Sequence, residues 1–223
     1  KNTKAIGIDL LFDSLEHTRK DTLLRNAISH TKNIIFANTL EETRPGGEKV
    51  EAMRCNTFLV PDSLQYYVNL ASDDEFTVRS FEALHQDKEK KQKAFSVALA
   101  SMYQPEVIKD IESRKLKREW INFRRFQFGS AKVNTSSSHY SFPNYPIIGI
   151  DKFLNDTSSY SDDYFQNKIV LIGFCGSESD PSLKDRYFTP LNEKPSGRSF
   201  PDMHGVVIHA NIISMLLDRD YIN

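Results

Sequence analysis

The sequence predicts an α/β fold of three layers, with a mainly parallel sheet and an antiparallel hairpin excursion. Three observations predict it. Strand-like apolar runs alternate with segments of helical periodicity, as βαβ units require. The runs at 5–12 and 168–174 are almost continuously apolar, the pattern of strands covered on both faces. At 223 residues the chain is long enough to bury a core without disulfide staples.

Residues 5–12 form the first strand, and a core strand so early in the chain implies a piece of something longer. A helix over 19–31 follows, with Leu23, Leu24, Ala27 and Ile28 on one side. Residues 33–37 are the next strand, which completes a βαβ unit. Residues 41–56 are polar, contain Pro45, Gly46 and Gly47, and read as a loop. Short strands are expected at 58–60, 66–70 and 77–81, with Asp73, Asp74 and Glu75 as the turn of a hairpin between the last two. Residues 82–93 are a charged surface excursion. A helix is expected over 91–103, and Pro105 opens another that ends near Arg114. Residues 120–123 read as a strand, 127–146 as a long loop, and 150–154 and 162–165 as helical turns. Residues 168–174 give the clearest central strand. A second long connection spans 176–203, and residues 204–217 form the last helix, with Val207, Ile208, Ile212, Ile213, Leu216 and Leu217 as its apolar content.

Composition narrows the function classes. Hydrophobic residues make up 39% and charged residues 26% of the chain, which excludes a disordered or collagen-like polypeptide. Lys+Arg 29 against Asp+Glu 30 leaves a net charge of −1, so nothing in the whole-chain charge argues for a nucleic-acid partner. The longest apolar stretch, 169–174, is far short of the ~20 residues that span a bilayer, and the first residues do not resemble a signal peptide. Two cysteines, Cys55 and Cys175, permit a bridge without requiring one; Cys175 reads as a buried free thiol.

In parallel sheets, ligands favour the carboxyl ends of the strands. Those ends carry Asp9, Asp13, Cys175, Ser177 and Asp180. Asp9 and Asp13 either bond loop amides or join Asp185 around a cation or a polar ligand. The turn at Gly173 and Gly176 lacks the glycine spacing of a pyrophosphate loop. Cys175 with His204 or His209 is a weak nucleophile–base pair, since no nucleophile-elbow spacing surrounds the cysteine. On one helix the two histidines stand ~140° apart and cannot face one metal ion; His209 reads as a packed histidine between helix and sheet, and His204 as lying near the N-cap with Asp202. Neither a metal nor a cofactor is expected. Lys115, Lys117, Arg118, Arg124 and Arg125, interleaved with Trp120 and Phe123, form a basic patch that Glu112 and Glu119 dilute. It reads as a solvated surface, with phospholipid headgroups as the alternative.

Several stretches, in order, resemble the CHASE domain of the second type, an extracellular sensory domain of bacterial cyclases and kinases. They are Ile6-Gly-Ile-Asp-Leu-Leu-Phe12 with Asp21 and Leu24, Tyr67-Val-Asn-Leu70, Asp73-Asp-Glu-Phe-Thr-Val-Arg79, Phe95-Ser-Val-Ala-Leu-Ala100 and Ile121-Asn-Phe123. The run Phe165-Gln-Asn-Lys-Ile-Val-Leu-Ile-Gly173, then Asp185 with Thr189-Pro190-Leu191, and Gly205-Val-Val-Ile-His-Ala-Asn211 with Leu216 and Leu217 complete the match. Two positions depart from the pattern: Glu75 stands for the turn glycine and His204 for the proline before Gly205.

The resemblance implies a single extracytoplasmic sensory domain over 1–223, without its first strand and flanking membrane helices. Such a domain is periplasmic or at the cell surface, belongs to a membrane receptor, and has no catalysis of its own. Its stimulus is an unspecified small molecule or protein, its contact with the membrane runs through those absent helices, and it pairs with a second copy or not; no nucleic acid is implied. The expected ligand-binding rim is Asp9, Asp13, Ser177, Asp185 and Thr189. The competing readings are a dimerisation or docking scaffold and a Cys-dependent hydrolase.

Overall fold

The computed structural model describes residues 3–43, 47, 49–87, 90–124, 145–156, 160–161, 163–176, 184–192 and 200–222. Strand β1 (Ala5–Asp9), helix α1 (Arg19–His30) and strand β2 (Ile34–Asn38) form the expected βαβ unit. The two strands are parallel, with Ile6 opposite Ile34 and Ile8 opposite Phe36. A capping box starts α1: the Thr18 side chain accepts the Lys20 N–H, and the Asp21 carboxylate accepts the Thr18 N–H. Only part of the predicted apolar stripe faces inward. Ile28 is buried and Leu24 packs beside it, whereas Leu23 is 55% exposed.

The polar stretch after β2 holds two short antiparallel strands, β3 (Glu42–Thr43) and β4 (Lys49–Val50). Residues 58–60 make a turn instead of the expected strand, although Leu59 and Val60 are buried. Strand β5 (Gln65–Tyr67) joins β2 in parallel. The predicted hairpin across Asp73 is absent among the described residues. The turn forms there, with Asp73 accepting the Glu75 and Thr77 N–H groups and pairing with Arg79. Its flanks then diverge: strand β6 (Ser80–Phe81) pairs with β9 (Glu119–Trp120). The hairpin lies later, in the presumed surface excursion, between β7 (Leu84–Asp87) and β8 (Lys90–Lys93). The left-handed turn residue is Phe76, at φ 60, not Glu75.

Helices α2 (Phe95–Tyr103) and α3 (Val107–Arg114) follow, then the short α4 (Ile150–Asn155). Strand β10 (Ile169–Gly173), strands β11 (Arg186–Tyr187) and β12 (Met203–His204), and helix α5 (Gly205–Asp218) complete the order. Much of the predicted loop at 127–146 lies outside the described residues. The main sheet is four-stranded and parallel, in the order β10-β1-β2-β5. The expectation that β10 is central is corrected: β1 and β2 are the inner strands, β10 is an edge strand, and its Ile172 is 40% exposed. An apolar run reports cover from helices above and below, not neighbours on either side.

The sheet separates two apolar clusters, which accounts for the three layers. On one face Ala5 and Ile35 pack with Phe95 and Leu99 of α2 and Ile208 and Ile212 of α5, all buried. On the other, Ile34 and Phe36 pack with Ile28 of α1, Cys55 and Val60. Helix α2 buries six consecutive residues, Phe95 to Ala100, and so behaves as an inner helix. Gly7 lets it sit directly on β1: a Cβ there would lie 2.6 Å from Leu99 Cδ1 and 2.7 Å from Phe95 Cζ.

Candidate functional site

The chain builds β1, β2 and β5 outward in one direction and then adds β10 on the opposite side of β1. The carboxyl ends of β1 and β10 are therefore the switch point of the sheet, the position at which open α/β sheets generally bind ligands. Asp9 ends β1 there, in register with Gly173, the last residue of β10. Helix α5 begins over the same point. Its Val206 presses onto Gly173, where a Cβ would stand 3.0 Å from Val206 Cβ and 3.2 Å from Asp9 Cβ. Glycine at 173 thus allows the first turn of α5 to close on the sheet edge.

The loop entering β11 brings the second carboxylate. Asp185 is left-handed, at φ 55. Its carbonyl accepts the Gly205 N–H at 3.1 Å, and its carboxylate oxygens lie 3.2 and 3.4 Å from the Cβ position of Gly205. The Gly205 N–H and the Tyr187 hydroxyl both favour the ionised form of that carboxylate. The N-terminal end of a helix dipole acts in the same sense. Burial outweighs them. It pushes Asp185 up to about 6, and the negative charge of Asp9 adds to the rise. Burial alone pushes Asp9 up to about 6. Both carboxyls therefore hold their protons well above the ordinary aspartate range, and Asp185 feels the charge of Asp9.

Basic and aromatic groups frame the pair. His204, fully buried, is the N-cap residue of α5. Arg186 Nε donates to His204 Nε2 at 3.3 Å, so Nε2 is the bare nitrogen and Nδ1 carries the hydrogen toward the Asp185 carbonyl, 3.2 Å away. Phe174 stacks edge-on against the same ring at 5.3 Å. Cys175, half-buried, feels the charges of both Arg186 and Asp185, but burial dominates and pushes its thiol up to about 11. Little thiolate exists at neutral pH in such a setting, which is the reverse of an activated nucleophile.

Of the predicted rim, Asp9 and Asp185 interact through their charges, while Asp13 and Thr189 have other partners. Asp13 is exposed, and its charge acts on Cys55, among residues of the α1 side of the sheet. Thr189 is buried and pins the loop: its hydroxyl donates to Asp202 at 2.5 Å and its N–H donates to the same carboxylate at 2.9 Å. Ser177 and Asp180 lie outside the described residues. His209 is the packed histidine that was expected. Ser96 Oγ lies 2.7 Å from its Nδ1, Phe95 meets its ring edge-on, and burial holds its pKa down at about 4. Both cysteines are free.

Sequence reasoning passed over Lys184 and Tyr187 as partners of Asp185, and Arg186 as the partner of His204. The signal available was the alternation of charge in Lys184-Asp-Arg-Tyr187, inside a stretch read only as a connection. Among the described residues, no three His, Cys, Asp or Glu side chains converge as metal ligands would. Two adjacent, partly desolvated carboxyls instead accept hydrogen bonds when ionised and donate one when protonated. That chemistry suits a polar molecule rich in N–H or O–H groups.

Compared with known proteins, residues 1–223 match the family model described as the CHASE2 domain, over the whole chain. CHASE2 domains are extracellular sensory domains of membrane receptors, and the family is not catalytic. No curated protein and no solved structure matches. No helix among the described residues is long and apolar enough to cross a membrane.

Proposed function

The chain belongs to the CHASE2 family, and from that premise we propose that it is the extracytoplasmic signal-sensing domain of a bacterial transmembrane receptor. It binds a small polar ligand or a protein stimulus and relays that event to a cytoplasmic output module, with no catalysis of its own. The observation that carries this reading is the meeting of two desolvated carboxyls, Asp9 and Asp185, at the switch point of the sheet beside the first turn of α5. A ligand that donates hydrogen bonds to both carboxylates stabilises their ionised forms, draws the Asp185 loop toward β1, and so prefers one placement of α5 over another. A stimulus shifts such an equilibrium only by the difference in its affinity for the two arrangements.

Helix α5 suits the relay. It starts at the switch point, and its 14 residues give it a length of about 21 Å. At its far end Arg124 holds Asp218 at 2.8 Å and Asp220 at 3.2 Å. The test is signalling by the intact receptor in membranes. Asp9→Ala and Asp185→Ala are each expected to abolish the response to stimulus while the purified chain still folds and unfolds cooperatively. A receptor that still responds with both substitutions overturns the assignment of the site. Loss of folding in both variants would make the pair part of the framework and overturn it equally.

A further inference from the structure

The basic segment after α3 presents a different face from the one its sequence suggests. Glu119, expected to dilute it, is buried and takes Arg114 Nε at 3.0 Å on both oxygens. Glu112 is paired with Lys91 at 2.6 Å, Asp110 with Arg219 at 2.8 Å, and Asp218 and Asp220 with Arg124. The carboxylates around the segment are thus occupied by other cations. Lys115, Lys117 and Arg118 are all exposed and make no ion pair among the described residues. Between and beside them stand large apolar side chains in water: Leu116 is 51% exposed, Trp120 53% and Ile222 44%. Leu116, Trp120 and Ile222 line one shallow groove with Arg114. The left-handed Lys115, at φ 54, turns the chain out of α3 and sets this segment at the surface.

We propose that this face, Lys115 to Arg118 with Trp120 and Ile222, docks on the surface of an anionic phospholipid bilayer. The chemistry fits that partner on both counts. Cationic side chains gain from an anionic leaflet, and their alkyl stems lie along the apolar layer while the heads reach the phosphates. Tryptophan prefers the boundary between headgroups and acyl chains, and leucine and isoleucine insert just below it. A bilayer is also the surface next to an extracellular domain of a membrane receptor. The face lies at the far end of α5 from the Asp9–Asp185 pair, since Arg114 Nη2 donates to the Ile222 carbonyl and Asn122 Nδ2 to that of Asp220, just beyond the helix. The inference needs neither carboxylate of that pair and stands or falls apart from the ligand-sensing reading.

Trp120 is the sole tryptophan of the chain, so its fluorescence reports this face directly. Vesicles of phosphatidylglycerol and phosphatidylcholine in equal parts are expected to sediment the chain and shift its emission to the blue, whereas phosphatidylcholine alone does neither. Each cationic side chain contributes about fivefold to partitioning. The triple substitution Lys115→Gln, Lys117→Gln and Arg118→Gln therefore weakens binding by about 100-fold, with an unchanged circular dichroism spectrum. Trp120→Ala weakens sedimentation while keeping its dependence on anionic lipid. Absence of a blue shift with anionic vesicles, or equal binding by the triple variant, overturns the proposal. So does binding to polyglutamate or a DNA duplex as strong as to the vesicles, which would assign the face to a dissolved polyanion.

Discussion

Asp9→Asn makes the protein more stable at neutral pH and leaves it nearly unchanged in acid. The native state holds Asp9 up at about 6, against 3.8 for an ordinary aspartate, because burial penalises the charged form. A folded-state pKa above the unfolded value means that the native state binds the proton more tightly. Folding is then favoured while the carboxyl is protonated, and that advantage is lost as pH rises from about 4 through about 6. Once the group is ionised in both states the difference amounts to about 3 kcal/mol. Asparagine carries no charge to desolvate and keeps the shape. With some screening by solvent at the site, the variant is expected to gain about 2–3 kcal/mol over the parent at about pH 7.5 and less than about 1 kcal/mol at about pH 4. The assay is urea unfolding of both proteins at the two pH values, read by circular dichroism. The variant-minus-parent difference cancels titration of groups unaffected by the substitution. Removing the Asp9 charge also lowers the pKa of Asp185, which a carboxyl NMR titration would follow. Equal gains at both pH values, or a loss at about pH 7.5, would refute the reasoning, because neither follows from a desolvated carboxylate.

Phe76 is a non-glycine residue in the left-handed region and is 68% exposed, so it trades strain for no burial. Phe76→Gly is expected to stabilise the chain by about 0.5–1 kcal/mol, read as a rise in the urea midpoint; a fall would mean that the Phe76 ring makes a contact worth more than the strain. The unfolded, unreduced chain should show both Cys55 and Cys175 as free thiols. In the native chain, alkylation of Cys175 should be slow at neutral pH and rise about tenfold per pH unit up to its pKa of about 11. Rapid labelling below neutrality would contradict the burial that sets this value.

The layers and much of the element order were legible in the sequence, because each rests on a local pattern. Apolar runs marked β1, β2 and β10, and the apolar content of the last helix marked α5, now seen to bury Val207, Ile208, Ile212, Ile213 and Leu216. What a local pattern does not carry is lateral order. The run at 169–173 reads the same on an edge as in the middle, and only pairing with β1 alone puts β10 at the edge. The misplaced hairpin has the same origin: Asp73 does organise a turn, but a turn constrains the direction of its flanks only while they pair, and Ser80 pairs with Trp120 instead. The site was legible to the same degree. Asp9 followed from its place at the end of a strand. Its meeting with Asp185 depends on the loop that returns over α5, and Asp13, only four positions on, leaves toward Cys55 because the chain has by then turned off the strand.

The placement of α5 joins the two proposals physically. Its first residue, Gly205, meets the Asp185 carboxylate with no side chain of its own between, so displacement of the Asp185 loop meets the helix backbone almost directly. Along its length Ile208, Ile212, Met215 and Leu216 are fully buried. Interiors are packed too densely for one turn to move while the next stays still, and a well-packed helix therefore tilts or shifts as a unit. At the other end Met215 Sδ accepts the Asn122 N–H, Asn211 Oδ1 accepts the Arg124 N–H, and the Asp218 and Asp220 carboxylates hold the Arg124 guanidinium. Residues 119–124 thus follow α5, and they carry Trp120. A domain whose Trp120 face lies on a bilayer has that end of α5 held against a fixed plane, so a change at the switch point becomes rotation of the sheet about the membrane contact. Sensing and membrane docking are separable in the test tube, but in an intact receptor the second would give the first a surface to push against.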